Sequence, residues 1–200
     1  MNLFRKRELL RPEIAKRVPP GQTVTEKWPI LHYGPVPRFD PKTWDLRAFG
    51  NVEQSFRLTW EEFQKLAKVM VTADMHCVTT WSKLDQVWEG VPFRTIVEMA
   101  RPRSGSGFVI AHCEHGFTAN VPLDAVNDDK VLLATAANGE PLTPDHGYPL
   151  RLVVPKLYAW KSAKWLRGIE FSAVDKPGFW ERNGYHNRGD PWLEERYWGD

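Results

Sequence analysis

The chain's 200 residues suffice for one domain with a substantial core. Its 27 basic and 25 acidic residues leave a net charge of +2, so no global field favours nucleic acid and any anion site must be local. Two cysteines cannot form a disulfide scaffold, and no apolar run approaches the roughly 20 residues of a membrane span. The basic start MNLFRKRELLRPEIAKR lacks the apolar stretch of a secretory leader. A cytoplasmic protein with reduced thiols is therefore expected, although a single Cys77–Cys113 disulfide stays open.

Residues 1–22 read as a solvated arm ending at Pro19-Pro20-Gly21, and residues 23–200 as one domain. Four prolines within WPILHYGPVPRFDP force an extended path. TWDLRAFG predicts a strand with Trp44, Leu46 and Ala48 on one face. Thr59 and Glu62 form a capping box for a helix from Trp60 to about Lys68, with Phe63 and Leu66 inward. VMVT and HCVTTW read as two strands around a turn at Ala73-Asp74, and Pro92 can open a helix to about Ala100. FVIAHC, FTANVPL, VLLATA, PLRLVVP and IEF are further strands, Asn138-Gly139 is a tight turn, and the aromatic tail reads as ordered loop. The sum is an α+β fold, strand-rich, with short helices.

Four segments can carry chemistry. Cys77, between His76 and Thr79-Thr80-Trp81, is either a soft metal ligand or, on spacing alone more commonly, a buried structural cysteine. His112-Cys113-Glu114-His115 hints at zinc without a zinc spacing and suits a polar strand end better. Asp145-His146-Gly147-Tyr148-Pro149-Leu150-Arg151 runs into a strand. Lys161-Ser162-Ala163-Lys164-Trp165, if helical, puts Lys161 and Lys164 on one face; that suits a phosphate or, equally, a solvated basic turn. The ten tryptophans are expected to pack the core and anchor loops.

In order along the chain, the Pro-rich WPILHYGPVP, Cys77 closely followed by Trp81, DHGYPLR before an apolar strand, KSAKW and the late WERNGY resemble one family. It is the molybdopterin-binding domain of sulfite oxidases and of bacterial molybdenum methionine sulfoxide reductases, and the likeness runs from about Trp28 to Trp192. The resemblance implies a strand-rich, mixed-sheet sulfite-oxidase-type fold and a molybdenum-molybdopterin cofactor. It implies that Cys77 ligates the metal and that Tyr185 is the active-site tyrosine. It places His32, Tyr33, Thr118, His146 and Arg151 at the pterin, with Ser162, Ala163 and Lys164 in the phosphate-binding segment. Arg151, Lys161 and Lys164 would then form a local cationic pocket, and Cys113 would be a bystander.

Oxygen-atom transfer on a small-molecule substrate is the implied reaction, with a separate electron-transfer partner and a monomer expected. Sulfite oxidases hold their substrate with arginines. Here Thr79, Thr80 and Lys83 follow Cys77, and Leu31 precedes the pterin loop, which argues against sulfite. A reductase of sulfoxides or other S- or N-oxides is the alternative. From other classes, a pterin carrier or a metal-free binding domain also fits.

Overall fold

In the computed structural model, residues 4–199 are described; residues 1–3 of the expected arm, with the side chains of Phe4, Arg5 and Glu8, lie outside the described residues. The rest of that segment is folded. Strand β1 (Phe4–Lys6) pairs antiparallel with β2 (Thr23–Thr25), and helix α1 (Pro12–Ala15) lies between them.

Two mixed sheets carry the fold. One joins β1 and β2 to β5 (Val69–His76), β6 (Trp81–Pro92), β9 (Leu132–Ala137), β10 (Glu140–Pro141) and β11 (Arg151–Val153). The other has the order β4-β3-β12-β7-β8, from β4 (Phe56–Thr59), β3 (Asp45–Gly50), β12 (Leu166–Ser172), β7 (Phe108–Cys113) and β8 (Thr118–Pro122). The helices are short. Thr59 caps α2 (Trp60–Gln64) through the expected box, and α3 (Phe93–Ala100) follows Pro92. Two more are α4 (Leu123–Val126) and α5 (Phe179–Arg182). Among the described residues no helix is long and apolar enough to cross a membrane.

The cores explain the apolar strands. Side chains alternate across a strand, so β9 sends Leu133 into the larger core and Leu132 and Ala134 into a second one. That larger core joins the sheets: Leu133, Val91 and Leu152 meet Leu46, Ala48, Val109, Ile169 and Phe171. Around β11, Leu150, Leu152 and Val154 face it, while Val153 joins the second core. Arg151 has the parity of Val153, so the strand's own pleat turns its guanidinium toward the second core, which holds Cys77. Asn138 and Gly139 both take positive φ (55° and 83°) to close the tight β9–β10 turn.

One turn is displaced from its expected place. Ala73-Asp74 lies inside a continuous β5, where the register with β6 shifts between Ala73 and Met75. The reversal comes instead at Cys77–Thr80: Thr80 N–H donates to Cys77 O (3.0 Å), Cys77 N–H donates to Trp81 O (2.9 Å), and Thr80 has φ 70°. Cys77 therefore stands at a hairpin corner.

Candidate active site

The Cys77 corner is tied to both ends of the chain. Gln22 Nε2 donates to Cys77 O (3.0 Å), and Arg196 Nη1 donates to Val78 O (2.7 Å). The Thr79 hydroxyl donates to Cys77 Sγ at 3.2 Å. Burial pushes the Cys77 thiol pKa up, and the Thr79 contact opposes it. Both cysteines are free thiols. Cys77 nevertheless borders a cavity of about 590 Å³, whereas Cys113 is packed in the inter-sheet core, where burial raises its pKa well above the usual thiol range.

A cationic wall forms another part of this cavity. The Thr143 side chain accepts from His146 N–H and caps a short turn, Pro144–His146. His146 stacks on Trp28 at 3.8 Å between ring centroids, and burial lowers its pKa, favouring the neutral ring. Gly147 then takes φ 110°; a Cβ there would lie 3.1 Å from Arg151 Cβ and 3.2 Å from Lys164 Cβ. Glycine thus lets the backbone pass close beside both cations. Arg151 Nη1 donates to His146 O and Nη2 to Ser162 O (both 2.9 Å), while its guanidinium lies over the Trp28 and Trp88 rings. Its Nε is buried without a partner. Residues Arg151 and Lys164 also form a β-bridge. Lys164 Nζ donates to Leu31 O (2.9 Å) and Asp145 O (2.6 Å). Burial first, and the Arg151 charge second, push the Lys164 pKa down to about 7.

His32 sits 3.5 Å from Asp145 and edge-on to Trp165. Tyr33, exposed at the cavity mouth, packs on Phe179. Tyr185 is held between Trp160 (5.1 Å, edge-on) and Trp180 (4.9 Å), and burial raises its phenol pKa. One cavity thereby gathers Cys77, His32, Tyr33, His146, Arg151, Ser162, Ala163, Lys164 and Tyr185. The Ser162 hydroxyl accepts from Val154 N–H, so it also fastens this wall to β11.

Two expected site residues stand elsewhere. Thr118 pairs with His112 at the start of β8 and does not line the cavity. Lys161 is completely buried and also off the cavity: its ammonium donates to Asn120 O and Oδ1 (2.8 Å each) and Asn187 O (2.6 Å), and lies 2.6 Å from Glu181 Oε1. The physical reason is local. The 3-10 turn Ala159–Lys161 ends at Ser162 (φ −85°, ψ 67°), so Lys161 and Lys164 do not share a helical face. The zinc reading also fails: among the described residues no three His, Cys, Asp or Glu side chains group to hold a metal, and His112 bonds Glu170 instead. Conversely, Trp28, Trp81, Trp160, Trp165 and Trp180 line the cavity, so half of the ten tryptophans serve a site rather than the core alone.

Comparison with known proteins places the chain in a family. A family model described as "Oxidoreductase molybdopterin binding domain" matches residues 33–180. The chain is 51% identical over 185 residues to "Uncharacterized oxidoreductase YuiH" of Bacillus subtilis (strain 168), covering 92% of this chain and 93% of that protein. It is 29% identical over 203 residues to rat mitochondrial sulfite oxidase, covering 84% of this chain but 37% of that one. It is 28% identical over 160 residues to the protein-methionine-sulfoxide reductase catalytic subunit MsrP of Campylobacter jejuni, covering 72% and 54%. The chain thus spans only about a third to a half of these last two relatives. In fold it is similar to the sulfane dehydrogenase SoxCD of Paracoccus pantotrophus, with TM-score 0.67 at 20% identity, over 92% of this chain and 59% of that one. With three-quarters of its length inside the family description, the chain belongs to the molybdopterin-binding oxidoreductases of sulfite-oxidase type, whose cofactor is molybdenum-molybdopterin.

Proposed function

We propose that this enzyme transfers an oxygen atom to or from a small neutral or anionic substrate, with Cys77 as the protein's metal ligand. The observation that carries the reading is that the Cys77 thiol, the Tyr185 ring and the Arg151–Lys164 pair line one cavity. The donor set fits the cofactor. A thiol suits a soft metal, and the unpartnered Arg151 Nε beside Lys164 suits a phosphate. When bound, molybdenum-molybdopterin supplies two-electron redox chemistry at a site that exchanges oxygen with water.

The chain's residues position and protect that chemistry. The Thr79 hydroxyl stabilises the Cys77 sulfur as a ligand, which metals hold deprotonated. Tyr185, a neutral phenol near pH 7, would donate a hydrogen bond to the substrate oxygen. The stacked Trp28 and His146 rings would lie beside the pterin, with Arg151 and Lys164 at its phosphate. The balance, substrate + H2O ⇌ oxidised substrate + 2 H⁺ + 2 e⁻, requires a separate electron-transfer partner. The cytoplasm belongs to the same proposal, since both cysteines stand as thiols. The test is protein from a molybdenum-replete host. Stoichiometric molybdenum and pterin, with turnover against an artificial electron acceptor or donor, support the reading. Bound cofactor without any turnover makes the chain a carrier and overturns it.

A further inference from the structure

A second part of the cavity lining is a series of rings. Trp160, Tyr185, Trp180, Phe179 and Tyr33 follow one another at centroid separations of 5.1, 4.9, 5.1 and 4.5 Å. The series starts at Trp160, buried in the apolar cluster that holds Cys77, and ends at Tyr33, 64% exposed at the mouth. A wall of this kind offers face and edge contacts to a flat apolar body between the exposed mouth and the cluster that holds Cys77.

Charge is distributed the other way. Among the described residues, the only Lys and Arg side chains lining the cavity are Arg151 and Lys164, and the proposed function assigns both to the cofactor phosphate. Arg196 donates to Val78 O at the Cys77 corner and is not part of the lining. An oxyanion entering beside the rings would lose its water without a guanidinium to replace it, a cost that only pairing offsets. A neutral oxide needs one donor at its oxygen, and Tyr185 brings a phenol to the lining.

Resting on the oxygen-atom-transfer reading, we infer that the substrate is a neutral molecule with an aromatic body, an aryl sulfoxide or the matching thioether, and not an oxyanion such as sulfite. In the reducing direction the step is R–S(=O)–R′ + 2 e⁻ + 2 H⁺ → R–S–R′ + H2O: the S–O bond breaks, sulfur is reduced, and the oxygen leaves as water. A reduced viologen can supply both electrons.

The experiment uses cofactor-loaded enzyme with methyl phenyl sulfoxide, dimethyl sulfoxide and sulfite. Binding is read from quenching of tryptophan fluorescence and turnover from viologen or ferricyanide absorbance. Methyl phenyl sulfoxide is expected to bind at least roughly tenfold more tightly than dimethyl sulfoxide and sulfite, a margin in the range of one aromatic pair plus its buried area. Trp180→Leu should remove most of that margin. Tyr33→Leu, at an exposed position, should reduce it and serves if Trp180→Leu does not fold. Sulfite bound or turned over in preference, or a margin untouched by both variants, overturns the inference while leaving oxygen-atom transfer intact. Selective aryl binding without turnover of any of the three leaves the selectivity standing and counts against the oxygen-atom-transfer reading instead.

Discussion

The Lys161 ammonium lies 2.6 Å from Glu181 Oε1, with the two side chains 0% and 1% exposed. The same carboxylate oxygen accepts from Trp160 Nε1 at 2.7 Å. A segment beside the cationic wall is thus bolted to the C-terminal tail that carries Tyr185. Lys161→Met leaves a buried carboxylate unpaired and should cost about 3–5 kcal/mol. Lys161→Met with Glu181→Leu should recover much of that loss, because no charge is then stranded. Urea unfolding of the parent, the single and the double variant checks this. A single variant as stable as the parent would show that the pair does not hold the tail.

Lys164 supplies a pH dependence. Its pKa is about 7 in the folded protein, against roughly 10.4 in an unfolded chain. A depressed lysine pKa means that the unfolded state binds more protons between these values. Cofactor-free protein should therefore gain stability as pH rises from about 7 toward 10. Lys164→Met should flatten that slope. An anionic cofactor beside Lys164 favours the proton, so retention should weaken as pH rises through the same window. Melting temperatures and retained pterin, measured from pH 6.5 to 9.5 in both proteins, decide it; equal slopes in parent and variant would remove Lys164 from the site.

Tyr185→Phe keeps the ring packed between Trp160 and Trp180 and deletes only the hydroxyl. Turnover should fall by about a hundredfold, the lower end of the range for loss of a positioned proton donor, with molybdenum content near that of the parent. Parent-level turnover would mean that the hydroxyl does not meet substrate.

Much of the fold was legible where burial follows a simple period. The Trp44, Leu46 and Ala48 face, the Thr59–Glu62 box and the apolar run of β9 each appear as read, although α2 stops at Gln64 rather than near Lys68. Most of β6 was not legible: Asp85 takes φ 55° and the register shifts between Glu89 and Gly90, so its alternation breaks twice. Strands β1 and β2 are three residues each and depend on tertiary pairing. At the site, the order of motifs behind the family resemblance marked Cys77, His146, Arg151 and Lys164, which local spacing alone left open. Lys161 carried the same local signal, yet its partner Glu181 is twenty residues away, and nothing in KSAKW shows that its ammonium turns inward. The tryptophan wall was illegible for a similar reason, since spacing does not distinguish a ring facing a cavity from one facing a core.

The two cysteines provide the most direct test. Cys77 borders the cavity with its sulfur bonded by Thr79, whereas Cys113 is packed between the sheets. Cys77→Ser replaces a soft ligand with a hard, weakly acidic hydroxyl. Molybdenum content, released pterin and turnover should be measured for Cys77→Ser and Cys113→Ser purified from the same host. The expected result is loss of turnover in Cys77→Ser, with pterin still held through Arg151 and Lys164, and both cofactor and turnover kept in Cys113→Ser. A Cys77→Ser enzyme that turns over at the parent rate, or loss of activity confined to Cys113→Ser, would contradict the assignment of Cys77 as the metal ligand.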